Sequence, residues 1–213
     1  MRITKDKETR RAEFVEASLA LFMEKGYAAT MISDIVRRVN VAQGTFYYYF
    51  PTKEDALDAV LERILQEAVD RARRLVGDGE QTAVQRLEAL FRMLFSPRGS
   101  MEANSPYSAF LSDPAVHAKL EQVRLRLLGP VLRELLDAGV TSGQFKALRF
   151  PPELSEIALL GVTGFMAGRR QWMRESPMAA DATLEALAEF MERLLGLAEG
   201  SLDFKDKVIR RHL

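Results

Sequence analysis

Residues Thr30 to Lys53 read TMISDIVRRVNVAQGTFYYYFPTK. Thr30 has the chemistry of an N-cap, and Ile32, Ile35, Val36 and Val39 recur at the three- and four-residue spacing of one helix face. Asn40 follows. Asparagine tolerates the left-handed backbone conformation, so Val39-Asn40 can turn the chain sharply while Val41 pins the turn from inside. A second short helix is expected over Gln43 to Phe50. At 100° per residue, Phe46, Tyr49 and Phe50 fall towards a core, whereas Gly44 and Tyr48 point most directly away. Thr45 and Tyr47 lie on the flanks, and Gln43 occupies the exposed first turn. Pro51 interrupts the run, and another helix begins near Lys53.

A short helix fixed from behind by aromatic residues and polar at its N-terminal end is what insertion into a DNA major groove requires. The amide of Gln43 can pair with N6 and N7 of adenine, and Thr45 can offer its methyl to thymine or its hydroxyl to a base edge. Gly44 lets the backbone approach closely. Tyr47, Tyr48, Lys53 and Thr30 are cast as phosphate contacts, which fix position rather than sequence. Arg10 and Arg11, on the preceding helix, belong either to the same backbone-contacting set or to a solvated charged face.

Four features occur in order: Gly26-Tyr27, a Thr30-to-Ile35 segment ending in Asp34-Ile35, the run Val41 to Phe50 containing GTFYYYF, and Lys53-Glu54 followed by Leu57. Together they resemble the signature of TetR-family transcriptional regulators over about Arg10 to Leu61. The resemblance implies that Gln43, Thr45, Tyr47, Tyr48 and Lys53 touch DNA. Two departures stand out. Ala42 replaces the frequent Ser or Thr, which removes the usual cap and phosphate contact there, and Asn40 replaces a frequent glycine.

Working outwards, the pattern is helical almost throughout, and an all-α fold of about nine helices is expected. The boundary is placed at residue 53: a three-helix, helix-turn-helix DNA-binding domain over 1–53, and a ligand-binding and dimerisation domain over 54–213. Helix one is read from Lys7 to Lys25 with Gly26 as its C-terminal stop. Further helices are read over Lys53 to Val76, Thr82 to Phe95, Pro106 to Leu111, Pro114 to Ala138 ending at Gly139, Pro151 to Glu175, and Asp181 to Ala198. Ser96 to Ser105 reads as a loop, and Gly200 to Leu213 as a tail.

Composition excludes much chemistry. The chain has 213 residues, no cysteine and two histidines, so disulfides and cysteine-based metal or redox sites are ruled out and imidazole chemistry has little material. No cofactor is called for. There is no GxSxG, no HExxH and no Gly-rich phosphate loop after a strand; GVTGFMAG at Gly161 to Gly168 falls inside a predicted helix. A helical enzyme or a bare interaction module is therefore the weaker alternative. No apolar run of about 18 residues and no cleavable leader is apparent, so a cytoplasmic protein with no membrane partner is expected. The formal net charge is zero, yet Met1 to Lys53 carries nine basic residues against six acidic ones, the sign expected of a head that meets a polyanion.

The second domain is read for architecture. In family members of this kind, two long terminal helices form a four-helix bundle with their counterparts, so a homodimer through the last two long helices is expected. Gly161, Gly164 and Gly168 permit close approach there, beside Ile157, Leu160, Phe165 and Met166. A small-molecule effector, apolar or amphipathic, is expected against Phe91, Phe95, Met101, Tyr107, Phe110, Leu128, Phe165 and Met166, with Arg169 as a polar anchor. The double-stranded operator is expected to be palindromic. Effector binding would tilt the helix that starts at Lys53 and relieve repression; an activator or a regulator without an inducer is the alternative within this class.

Overall fold

The computed structural model describes residues 6–95, 106–147 and 151–204. Nine helices and no strand occur among the described residues: α1 (Lys7–Lys25), α2 (Ile32–Val39), α3 (Gln43–Tyr49), α4 (Lys53–Val76), α5 (Ala83–Phe95), α6 (Ser108–Leu111), α7 (Pro114–Thr141), α8 (Pro151–Glu175) and α9 (Pro177–Leu195). The chain divides into two compact units. The first comprises residues 1–66 and 105–123, and the second 67–104 and 124–213. The division differs from a cut at residue 53, because α4 and α7 each give their first turns to one unit and their remaining turns to the other.

The first unit is organised by aromatic side chains on α1. Phe14 is fully buried and meets Phe46 edge to face at 5.6 Å and Phe50 at 6.3 Å, with Tyr49 at 5.6 Å. Each such ring pair contributes roughly 0.5–1.5 kcal/mol beyond simple burial. One helical stretch further on, Phe22 meets Tyr27 at 5.2 Å and stacks on Phe110 of α6 at 6.0 Å. Lys119 on α7 bridges Glu54 at 2.9 Å and Asp58 at 3.2 Å on α4. Those carboxylates hold its pKa above the ordinary lysine value, Glu54 most strongly.

Local signals set the helix ends. Asp6 caps α1, and Gly26 ends it at φ +85°, a backbone region that side chains avoid. Thr52 and Asp55 form a reciprocal capping box at the start of α4, as Thr82 and Gln85 do at α5. Asp113 accepts the amides of Ala115 and Val116 ahead of Pro114, which opens α7.

Several boundaries differ from the sequence reading, among them the start of α6, at Ser108 in place of Pro106. Thr30 does not cap α2: Met31 occupies the N-cap position, and its amide is taken by the Asp34 carboxylate at 2.9 Å. Helix α7 runs through Gly139 to Thr141, since a helical glycine costs only about 1 kcal/mol and the missing side chain makes room for the Phe145 ring. Helix α9 starts at Pro177 and stops at Leu195, capped by Ser176 at one end and by left-handed Gly196 at the other. The Ser96–Ser105 loop and the tail beyond Phe204 lie outside the described residues.

In the second unit α8 packs against α9. The turn after α7 is secured by Lys146, whose amide donates to the Leu195 carbonyl at 2.7 Å. The segment after α9 folds back over it: the Leu202 amide donates to the buried Glu192 carboxylate at 2.8 Å, and the Asp203 amide to Glu88 at 2.8 Å. Phe204 thereby stacks on Phe91, with centroids 4.0 Å apart and planes 25° apart. No described helix is long and apolar enough to cross a membrane.

Candidate nucleic-acid interface

The turn between α2 and α3 is made by Asn40 at φ 56°, ψ 55°, the one positive-φ non-glycine residue among those described. Its amide donates to the Arg37 carbonyl, and that of Val41 reaches the Val36 carbonyl at 3.0 Å, closing the end of α2. Helix α3 then lies with Phe46 wholly buried and Phe50 nearly so, while Tyr48 is 68% and Tyr47 48% exposed. Gln43 and Gly44 are exposed, and Thr45 and Tyr49 half-buried. A Cβ at Gly44 would meet nothing within 4 Å, so no internal packing demands this glycine.

Polar order exists on the outer face before any ligand arrives. The Gln43 amide nitrogen donates to the Tyr47 hydroxyl at 3.4 Å, one helical turn away. Tyr48 meets Tyr49 edge to face at 5.0 Å, and the Lys7 ammonium sits 5.4 Å from the Tyr48 ring centre. Ala42 caps α3 without a side-chain acceptor, which leaves the positive end of the short helix open to an approaching anion. Arg37, 80% exposed, stands 4.0 Å from Asp34. The Asp34 carboxylate is shared with the ammonium of Lys25 and is held below the ordinary aspartate pKa chiefly by that lysine. Arg38 grips Glu24 through two bonds of 2.8 and 2.6 Å, and Arg10 pairs with Glu13 at 2.7 Å. Arg11 lies over the Phe50 ring at 5.2 Å.

Thr30 and Lys53, expected as phosphate contacts, make bonds within the chain. Thr30 is 1% exposed, and its hydroxyl donates to the carbonyls of Gly26 at 2.8 Å and Leu21 at 3.3 Å. Lys53 turns inwards: its ammonium donates to the carbonyls of Tyr27 and Thr30, each at 2.9 Å, and of Ala28 at 3.4 Å. Both side chains brace the α1–α2 loop. Lys7 and Arg37 are the cations beside the exposed face that sequence reasoning passed over; alignment of Lys7 with Tyr48 needs the folded packing of α1 on α3.

The second unit contains a cavity of about 560 Å³ of free space, its mouth included, walled by Leu87, Leu90, Phe91, Leu94, Phe95, Leu128, Val131, Leu132, Ala158, Leu159, Val162, Met191 and Phe204. Phe91, Phe95 and Leu128 were anticipated as effector contacts. Phe165, Met166 and Arg169 lie elsewhere on α8: Met166 is buried, while the Arg169 guanidinium covers the exposed rings of Phe165 at 5.5 Å and Trp172 at 4.6 Å. Tyr107 and Phe110 belong to the first unit, and Met101 is outside the described residues.

Residues 14–60 match the family described as bacterial regulatory proteins, tetR family. The chain is 29% identical over 150 residues to the HTH-type transcriptional repressor KstR2 of Rhodococcus jostii, covering 68% of this chain and 72% of that protein. To KstR2 of Mycobacterium tuberculosis it is 32% identical over 94 residues, 44% of this chain and about half (46%) of that protein. The crystal structure of RolR in complex with resorcinol shares the fold at a TM-score of 0.58 and 23% identity, covering 96% of this chain and 92% of that one. The matched segment coincides with the helix-turn-helix built around Asn40, so the chain carries there the domain of the tetR family of bacterial regulatory proteins.

Proposed function

We propose that the chain is a ligand-responsive repressor that binds a palindromic operator as a homodimer and is released by a small apolar or amphipathic molecule. The observation that carries this reading is the two-sidedness of α3, anchored by Phe46 and Phe50 while Gln43, Gly44, Tyr47 and Tyr48 face outwards. Gln43 and Thr45 read base edges, Gly44 admits the backbone, and Tyr47 and Tyr48 position phosphates. Such a protein works on chromosomal DNA in the cytoplasm. A single seven-residue helix reads few base pairs, so two copies on half-sites one DNA turn apart, roughly 34–36 Å, supply the discrimination.

Support for the dimer comes from α8 and α9, where Ile157, Leu160, Phe165, Trp172, Met178 and Phe190 are exposed apolar side chains. Support for the effector comes from the apolar cavity. Binding there would bias the dimer towards a state whose half-site spacing no longer fits, through a change in α4, and only to the extent that the effector prefers that state. Mobility shift of the DNA flanking the chain's own gene tests the reading. Tight, sequence-specific, salt-sensitive binding is expected, and binding with no preference over unrelated DNA would reject it.

A further inference from the structure

The walls of the cavity come from α5, α7, α8 and α9 and from Phe204, and each lining side chain is alkyl, thioether or phenyl. Among the described residues, no hydroxyl, amide or charged side chain lines it. Space so walled gives water no partner, and it gives the polar atoms of a ligand none. A hydroxyl buried there without a partner weakens binding by roughly ten- to hundredfold.

The rings in the wall narrow the shape further. Phe91 is stacked against Phe204 at 4.0 Å and lies 4.6 Å from Phe95, so these rings pack on one another and offer few free faces to an aromatic guest. The remaining wall is branched aliphatic, with unbranched Met191 able to adapt. A slender flexible chain fits such walls better than a substituted ring.

We infer that this cavity takes the unbranched hydrocarbon tail of an amphiphile, with the polar end left outside its walls. This deepens the effector reading given above and rests on it. The tail is the chemistry shared by fatty acids, their alcohols and acyl thioesters. Each added methylene strengthens binding about fourfold until the space is filled, and exchange of the head group changes affinity far less.

The experiment uses the full-length protein and the straight-chain carboxylates from hexanoate to palmitate, with matching alcohols and acyl thioesters as separate arms. Calorimetry reads binding and fluorescence anisotropy reads release of a labelled operator. The expected result is affinity that rises with chain length and then levels, with a negative heat-capacity change. Equal affinity across the series, or a dihydroxybenzene that outcompetes decanoate, overturns the inference. Dependence on one head group in place of chain length overturns it as well.

Ala158→Phe, which fills the wall, is expected to weaken tail binding at least tenfold while operator binding persists. Met191→Ala, which enlarges the space, is expected to move the optimum to a longer chain. Unchanged tail binding in a folded Ala158→Phe protein, or an unmoved optimum in Met191→Ala, places the tail elsewhere and overturns the assignment. Chains that bind in this graded way without releasing the operator defeat the inducible-repressor reading and leave the tail site standing. Release by another compound while no chain binds does the reverse.

Discussion

Lys53 and Tyr27 close the two ends of the recognition segment on each other: the lysine ammonium donates to the Tyr27 carbonyl at 2.9 Å and lies 4.5 Å from the centre of its ring. Partial burial draws the lysine pKa below its ordinary value and raises that of the tyrosine. The clasp spans 26 residues of sequence, so it acts on the whole helix-turn-helix.

Lys53→Ala is accordingly expected to loosen that frame. Hydrogen bonds from a charged donor are worth roughly 1.5–3 kcal/mol, and partial exposure reduces this to about 1–2 kcal/mol of stability in a urea titration. Operator affinity falls for all sequences alike. The slope of log affinity against log salt stays unchanged, whereas loss of a phosphate contact lowers it by about one. A slope reduced by one, with stability intact, returns Lys53 to the phosphate role.

Gln43 and Tyr47 make a second pair with a measurable consequence. Gln43→Ala is expected to cost roughly 1–3 kcal/mol at one base pair per half-site, read by selection from a randomised operator pool. Tyr47→Phe removes the hydroxyl that accepts from the Gln43 amide. With one amide hydrogen so engaged, Gln43 cannot give both to the N7 and O6 acceptors of guanine, and adenine is favoured. The phenylalanine variant should tolerate guanine at that position. An unaltered selection profile in both variants removes Gln43 from the base-reading set.

Asp34 ties α2 to α1 and to its own first turn, through Lys25 and the Met31 amide. Its pKa is lowered from the ordinary 3.8, mainly by Lys25. For a carboxylate so lowered, the folded form is favoured fully above the ordinary value, and the advantage is lost as pH falls through the lowered one. Thermal unfolding followed between pH 5 and pH 2 is expected to show an acid loss that Asp34→Asn makes shallower. A variant with the same acid profile as the parent shows that the carboxylate contributes nothing to that loss.

How far the sequence disclosed these features depends on how local their causes are. Asn40 was legible because one residue makes the turn, and both ends of α1 were legible because Gly26 punctuates the chain and periodicity precedes it. The start of α9 carried an equally local signal in Ser176-Pro177, overlooked in favour of Asp181. Gly139 misled because glycine is a helix stop only when the backbone turns there; here it stays helical, and a Cβ would sit 2.0 Å from the Phe145 ring. The bonds of Lys53 to the α1–α2 loop are not legible in the sequence because its partners lie 23 to 26 residues away. The cavity was half seen: apolar residues on α5 and α7 could be named, but which face of α8 lines it depends on how the helices pack. Phe204 falls in the stretch that reads as a tail, although Leu202 and Phe204 at its start are apolar and both are buried.

On α8, Ile157, Leu160, Gly161, Gly164, Phe165, Gly168 and Trp172 recur at spacings that draw one stripe along the helix, and their exposure leaves the stripe unsatisfied within one chain. Exposed apolar side chains aligned in this way are expected of an interaction face. The glycines make it testable without harming the monomer. A Cβ added at Gly164 meets nothing within 4 Å, and any residue other than proline improves on glycine's helix propensity. Gly164→Glu should therefore leave the single chain folded while placing a charge where two helices would have to approach. Sedimentation is expected to show monomer for the variant and dimer for the parent, with unchanged helical circular dichroism. Operator affinity should fall steeply while binding to an isolated half-site persists, since each recognition helix is intact and only the two-fold multiplication is gone. A variant that sediments as a dimer with full operator affinity would show that the two copies meet through a different surface.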